Sequence, residues 1–196
     1  MNSHIQTRES VRAHSSFPDN KLEALVPPEG NTPTQVSLLP IGVNDVIWGL
    51  VYSCGATRAQ LVTVACKAAR RVTAQKDALE LLDTTERCLR GEATEDDIRA
   101  RQFKSGCYVG AYASALVAGY AAAQAAATAA WFRDYMEFAY EALAAAASSA
   151  GYAASDAAPA EVSLAAFKDA RDIERQQQIA DLVYALESDS CPKTPW

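Results

Sequence analysis

The stretch that decides the fold is YVGAYASALVAGYAAAQAAATAAWF, residues 108–132, which is rich in alanine and carries no charged side chain. After Arg133 and Asp134 the alanine-rich composition resumes and continues through Tyr152. Alanine has the highest intrinsic helix propensity because it loses no rotamer freedom when a helix forms. The composition therefore predicts either two long helices or one helix with a break near Arg133–Asp134, and it favours an all-α fold.

The same stretch is long enough to cross a membrane, which takes about 20 residues of helix. Its composition argues against a span, because alanine adds little hydrophobicity and because Gln124 and Thr128 dilute it further. Membrane spans are usually built from leucine, isoleucine, valine and phenylalanine. We therefore expect a helix packed inside a bundle, where small residues such as Gly119 allow helix backbones to approach closely.

Capping residues mark the ends of several further helices. Thr57 is a suitable N-cap, and Thr94 is followed three residues later by Asp97, which is the spacing of a capping box. Gly55 and Gly91 are placed to end the preceding helices. This pattern predicts a compact bundle of about six helices without a β-strand of useful length, and the helix after Thr94 is expected to extend towards the alanine stretch.

Two boundaries are predicted in the second half of the chain. Residues 148–151, Ser-Ser-Ala-Gly, suggest the end of the alanine region, and Pro159 fits the first turn of the last helix. We expect that helix to bury its apolar side chains and to expose its charged ones. The apolar set is Val162, Phe167, Ile173, Ile179, Leu182, Val183 and Leu186, and the charged set is Lys168, Arg171, Glu174 and Arg175.

Composition divides the chain into three parts. Residues 1–38 are polar and contain four prolines, so we expect a flexible or extended arm. Residues 39–187 are expected to form one all-helical domain, and residues 188–196 a frayed tail. The N-terminal segment has no apolar core of signal-peptide length, so we expect a cytoplasmic protein.

The overall charge limits the kinds of partner. The 196 residues carry a formal net charge of −6. A general nucleic-acid binder would show a basic stripe, so this balance argues against nucleic acid as a partner. An acidic surface is compatible with a basic protein partner.

Two acidic groups are candidate partner-binding residues. Asp134, Glu137 and Glu141 follow helical spacing, and Glu95, Asp96 and Asp97 occupy the first turn of a helix. The alternative explanations are a solvated face for the first group and helix-start charges for the second. Facing acidic helices can also hold metals, which leaves a small enzyme with an acidic helical site as a weaker alternative.

Three tyrosines in the alanine stretch form a second candidate contact surface. Tyr108, Tyr112 and Tyr120 fall at i, i+4 and i+12, close to one helical face. Their rings are expected either to pack inside the bundle or to face a partner, since tyrosine is enriched in binding hot spots. If such a face met a second copy of the chain, it would form the seam of a self-assembling structural protein.

Catalytic motifs are missing from the part that is expected to fold. The only histidines are His4 and His14 in the arm, and the five cysteines show no CxxC spacing. No glycine-rich phosphate loop or dinucleotide fingerprint is present. We therefore expect no catalytic residue, no cofactor and no metal.

The order of segments resembles the alanine-rich immunity-protein family of bacterial polymorphic toxin systems over about residues 40–187. The resemblance rests on a turn that precedes the alanine- and tyrosine-rich helices and on a motif in the last helix. The matching positions are Leu89, Arg90, Gly91 and Glu92 in the turn and Glu174, Arg175, Gln176 and Leu182 in the helix. The resemblance implies a helical protein that binds a cognate toxin and neutralises it sterically. An acidic protein of this kind would suit a basic toxin.

Overall fold

The computed structural model describes residues 31–105 and 114–188. Those residues form eight α-helices and no β-strand, so the all-α prediction is confirmed, with two more helices than expected. The helices are α1 Pro33–Ser37, α2 Val43–Ser53, α3 Arg58–Val72, α4 Lys76–Leu89, α5 Glu95–Ser105, α6 Ala115–Trp131, α7 Tyr135–Ala157 and α8 Ser163–Glu187.

The alanine region forms two helices, α6 and α7, with the predicted break between them. Phe132 is extended and Asp134 stands at the N-cap position of α7. Ser114 is also extended, and its hydroxyl accepts a hydrogen bond from the Val117 amide at 3.4 Å. The helix that begins at Glu95 therefore does not run unbroken into the alanine stretch. Within the two described ranges, no helix combines the length and apolarity that crossing a membrane requires.

Helix starts that the capping pattern predicted are confirmed. Thr57 forms a capping box with Gln60 at the start of α3. At the start of α5, the Thr94 amide donates to the Asp97 carboxylate at 2.8 Å, and the Asp97 amide donates back to the Thr94 hydroxyl at 3.2 Å. Gly91 has a φ of 75°, the left-handed conformation expected just after a helix end.

The predicted boundaries near residues 148–151 and at Pro159 are wrong. Helix α7 continues past Gly151 to Ala157, and α8 begins only at Ser163. Gly151 allows α8 to approach closely, because a Cβ at this position would lie 2.8 Å from the Phe167 ring. The glycine therefore marks a helix–helix contact rather than a helix end.

A short helix lies inside the segment that composition assigned to the arm. Helix α1 has a capping box between Thr32 and Gln35, and its Val36 side chain is fully buried. The Thr34 hydroxyl donates to the Glu187 carboxylate at 2.6 Å, which joins α1 to the end of α8. The folded part thus includes residues 33–37, while residues 1–30 lie outside the described ranges, as does the tail from residue 189.

Helix α7 is central to the bundle and packs against α2, α3, α6 and α8. Small residues bring these helices together: a Cβ on Gly119 of α6 would lie 3.0 Å from the Val72 carbonyl oxygen of α3. The Ser149 hydroxyl of α7 donates to the Ala115 carbonyl at 2.7 Å. Larger side chains fill the space around the alanines. The fully buried ones include Ile47, Leu50, Leu61, Leu81, Leu82, Ile98, Leu143 and Leu182.

The prediction of which α8 side chains are buried is wrong in part. Glu174 and Arg175, expected in solvent, are each only 7% exposed, whereas Ile173 is 71% exposed. Ile179 and Leu182 are buried as expected. The reason lies in the neighbouring helix, because α3 presents basic side chains where it contacts α8, and acidic side chains of α8 turn inward to meet them.

Candidate functional site

The acidic side chains at the start of α5 have partners close to them in the chain. Arg99 pairs with Glu95 at 3.3 Å and with Asp96 at 3.4 Å. Asp97 is engaged by Thr94 in the capping box, and these hydrogen bonds hold the pKa of its carboxyl below the ordinary value. The arrangement is the one expected of helix-start charges.

The acidic side chains of α7 have a different environment. Asp134, Glu137 and Glu141 are all exposed. Within residues 31–105 and 114–188, none of the three takes part in an ion pair. No cation of the described residues therefore neutralises these three charges.

Aromatic side chains from α2 and α7 lie beside these acids. Trp48 and Tyr52, one turn apart on α2, stack with ring centroids 5.0 Å apart. Tyr52 meets Tyr140 of α7 with ring centroids 6.3 Å apart, and both tyrosines are half-buried. We call the surface formed by Tyr52, Glu137, Tyr140 and Glu141 the acidic–tyrosine face.

The members of this face influence one another electrostatically. Burial raises the pKa of Tyr52 to about 12, and the charges of Glu137, Tyr140 and Glu141 contribute to the increase. Burial and the charge of Glu137 together raise the pKa of Glu141. A cation placed between these carboxylates would relieve their mutual repulsion.

The tyrosines of the alanine stretch do not contribute to this face in the described residues. Tyr120 is 7% exposed and belongs to the hydrophobic core, where its hydroxyl accepts a hydrogen bond from Gln124 at 3.2 Å. This is the packing role that was weighed against a partner-facing one. Tyr108 and Tyr112 lie outside the described residues.

A network of charges joins exposed cations of α3 to buried carboxylates of α8. Asp181 accepts hydrogen bonds from Lys67 at 2.6 Å and from Arg71 at 2.7 Å. Arg71 also binds Glu174 through Nε at 3.0 Å and through Nη2 at 2.6 Å. Burial would raise the pKa of Asp181, but the hydrogen bonds from Lys67 and Arg71 outweigh this effect and hold the pKa below the ordinary value.

An amide side chain links this network to the central helix. Gln178 is fully buried, and its Nε2 donates to Glu174 at 3.1 Å and to the Leu143 carbonyl of α7 at 3.0 Å. Sequence reasoning missed the network because it assigned the charged residues of α8 to solvent. The signal was the spacing: Glu174, Gln178 and Asp181 form one helical stripe that matches the i, i+4 pair Lys67 and Arg71.

The described cysteines are not placed for nucleophilic chemistry. Cys66 is fully buried in α3, and burial raises the pKa of its thiol. Burial also raises the pKa of Cys54 to about 11. The thiolate is the reactive form of cysteine, so both changes oppose reactivity at neutral pH.

Comparison with known proteins adds no relative: no family profile matches the chain, and neither a curated protein nor a solved structure shows significant similarity to it. The acidic–tyrosine face therefore has to be interpreted from its own chemistry.

Proposed function

We propose that this chain is a non-catalytic binding protein of the cytoplasm that acts as an immunity protein, binding a basic toxin and blocking it sterically. The contact surface in this proposal is the acidic–tyrosine face. One observation carries it: Glu137 and Glu141 have no cation partner within the described residues and lie beside two half-exposed tyrosines.

The two acidic groups of the chain differ in what they offer a basic partner. Glu95 and Asp96 already interact with Arg99, so a partner cation would have to compete with an existing ion pair. Glu137 and Glu141 have no such competitor in the part of the chain that the structure describes. Surface charges of this kind speed association with an oppositely charged protein and help to select it.

The tyrosines supply the rest of a protein-binding surface. Tyrosine offers a large, rigid apolar area together with a hydroxyl group, and it is enriched among residues that dominate binding energy. Tyr52 and Tyr140 are carried by packed helices, α2 and α7, so little conformational entropy would be lost on binding. Lysine or arginine from the partner could also stack on these rings.

Self-assembly through the alanine stretch has less support. The alanines of α6 that such a seam would use are mostly buried inside the monomer, against α3 and α7. A seam would need these helices to separate first. Light scattering addresses this alternative directly, because it requires a stable oligomer.

Affinity capture with a charge-matched control tests the proposal. Glu137→Lys/Glu141→Lys reverses the face, and Glu161→Lys/Asp169→Lys makes the same change in charge at exposed acids elsewhere. A partner that uses the face is recovered by the wild type and the control but not by the reversed variant, provided that all three unfold at similar temperatures. Recovery of every captured protein by all three variants would contradict the proposed surface.

A captured partner also has to behave as a toxin. It is expected to inhibit growth when expressed alone and to lose this effect when the wild-type chain is present. A partner without any effect on growth would contradict the immunity role while leaving the contact surface in place.

A further inference from the structure

The most unusual side chain in the fold is Arg175 of α8. It is only 7% exposed, yet its Nε and Nη1 atoms are buried without a hydrogen-bond partner. Arginine cannot release its proton under ordinary conditions, and a buried charge without a partner is strongly unfavourable. A group of this kind in a native fold needs an explanation, and a ligand from outside the described residues would supply one.

Carboxylates near Arg175 in the chain are engaged with other cations. Glu174 binds Arg71 through both of its oxygen atoms, and it accepts a further hydrogen bond from Gln178. Asp172 pairs with Arg171 at 3.8 Å. Arg175 is therefore left without a carboxylate among the described residues.

The surroundings of Arg175 connect it with the acidic–tyrosine face. Helices α7 and α8 pack along their length, and Tyr140 of α7 is close enough to influence Arg175 electrostatically. Burial lowers the pKa of Arg175, and the contributions of Tyr140 and Glu174 do not restore it. Arg175 thus lies next to the face but is not neutralised by it.

We propose that Arg175 binds a carboxylate side chain, aspartate or glutamate, that the partner protein inserts beside Tyr140. This inference rests on the proposed function, because it treats the acidic–tyrosine face as a protein interface. A guanidinium group is well suited to bind a carboxylate, and a tyrosine hydroxyl can donate a further hydrogen bond.

A carboxylate fits this position better than a phosphate. A phosphate group carries about −1.5 to −2 charges at neutral pH, which a single guanidinium does not balance. A carboxylate carries one charge, which a single guanidinium can balance. The partner is therefore expected to present one acidic residue flanked by basic ones, with the basic residues facing Glu137 and Glu141. Such a charge pattern would fix the register of the complex and exclude uniformly basic proteins.

The test uses the isolated protein with N-acetyl-glutamate N-methylamide, which mimics a glutamate side chain. Thermal unfolding and the Arg175 Nε–H NMR signal are followed during titration, with sodium chloride at matched ionic strength as the reference. At about five times the dissociation constant, the melting temperature should rise by about 2–4 °C. Arg175→Met should lose this rise, whereas Arg171→Met, which removes a more exposed arginine from the same helix, should keep it.

The stability of the free variants provides a second readout. Because Nε and Nη1 of Arg175 have no hydrogen-bond partner among the described residues, Arg175→Met should melt at or above the wild-type temperature. A large drop relative to Arg171→Met would show that Arg175 already has a structural partner, and it would overturn the proposal. Absence of both the melting shift and the NMR shift in the wild-type protein would overturn it as well.

Two further titrations, with inorganic phosphate and with succinate, distinguish a protein carboxylate from other anions. Inorganic phosphate acting more strongly than the glutamate mimic would overturn the carboxylate assignment. Free succinate acting at concentrations about tenfold lower than the mimic would assign the site to a small dicarboxylate and not to a protein. These titrations use the isolated protein, whereas toxin neutralisation is measured with the partner present. A failure of the Arg175 proposal is therefore distinguishable from a failure of the proposed function.

Discussion

Arg71 of α3 donates two hydrogen bonds to Glu174 of α8, from Nε at 3.0 Å and from Nη2 at 2.6 Å. A guanidinium group that uses two nitrogens in this way fixes orientation as well as distance. The pair lies on the side of α8 that faces the bundle, together with the buried Gln178 and Leu182. The neighbouring Arg175 is also in the interior, whereas Ile173 is in solvent.

Removal of the Glu174 charge should destabilise the fold. Glu174→Gln removes the charge of a buried carboxylate, while Arg71, whose side chain is 27% exposed, keeps its bond to Asp181. Hydrogen bonds to charged groups contribute about 1.5–3 kcal/mol, and because Arg71 keeps Asp181 and reaches solvent, the loss should be about 2 kcal/mol. Urea unfolding measures this loss. The control Glu80→Gln breaks an exposed pair and should change stability by less than about 1 kcal/mol; equal losses would contradict the buried role.

Acid should weaken the α3–α8 contact through Asp181. The pKa of Asp181 in the folded protein lies below the ordinary value. Its contribution to stability is therefore complete above the unfolded pKa of about 3.9 and is lost as the pH falls through the folded pKa. The free energy of unfolding, measured from pH 7 to pH 2, should therefore decrease once the pH drops below about 4. Asp181→Asn should be less stable at pH 7 and should fall less steeply, and two parallel curves would refute this assignment.

Filling the space at Gly151 should separate α7 from α8. A Cβ there would lie 2.8 Å from the Phe167 ring and 3.0 Å from the Phe167 carbonyl oxygen. Overpacking costs about 1–3 kcal/mol and exceeds the gain of about 1 kcal/mol in helix propensity. Chemical denaturation of Gly151→Ala should show a net loss. The loss should shrink in a Phe167→Ala background, and a more stable Gly151→Ala protein would contradict the close contact.

Neutralising Glu141 should have opposite effects on stability and on binding. Its folded pKa is raised by burial and by Glu137, so stability decreases as the pH rises through that pKa, and Glu141→Gln should stabilise the free protein at pH 7. The same change removes a charge that the partner is proposed to use, so binding should weaken and become less sensitive to salt. Thermal unfolding and partner binding at two salt concentrations measure both effects. A destabilised Glu141→Gln protein would show that Glu141 has a structural role.

The helices of this fold could largely be predicted because their signals are local. Alanine content, Thr57, Thr94 and Gly91 each act through neighbouring residues in the chain. Gly151 was misassigned because the reason for its presence is Phe167 on another helix. The sequence alone does not distinguish a glycine that ends a helix from a glycine that allows another helix to pack closely.

The site was predictable only in part, for a related reason. Spacing identified Glu137 and Glu141 as a pair, but their proximity to Tyr52 depends on how α2 packs on α7. The inward charges of α8 required knowledge that Lys67 and Arg71 lie opposite them. The sequence prediction assigned side chains to core or solvent by type, whereas Glu174 and Asp181 are buried where cations of α3 face them.

The most direct test of the central claim is survival of cells that produce the captured partner together with the wild-type chain, the reversed variant Glu137→Lys/Glu141→Lys, or the control Glu161→Lys/Asp169→Lys. All three proteins should accumulate to similar levels and unfold at similar temperatures. Survival with the wild type and the control, but not with the reversed variant, is the predicted result. Equal protection by the reversed variant would contradict a role for the acidic–tyrosine face in neutralising the partner.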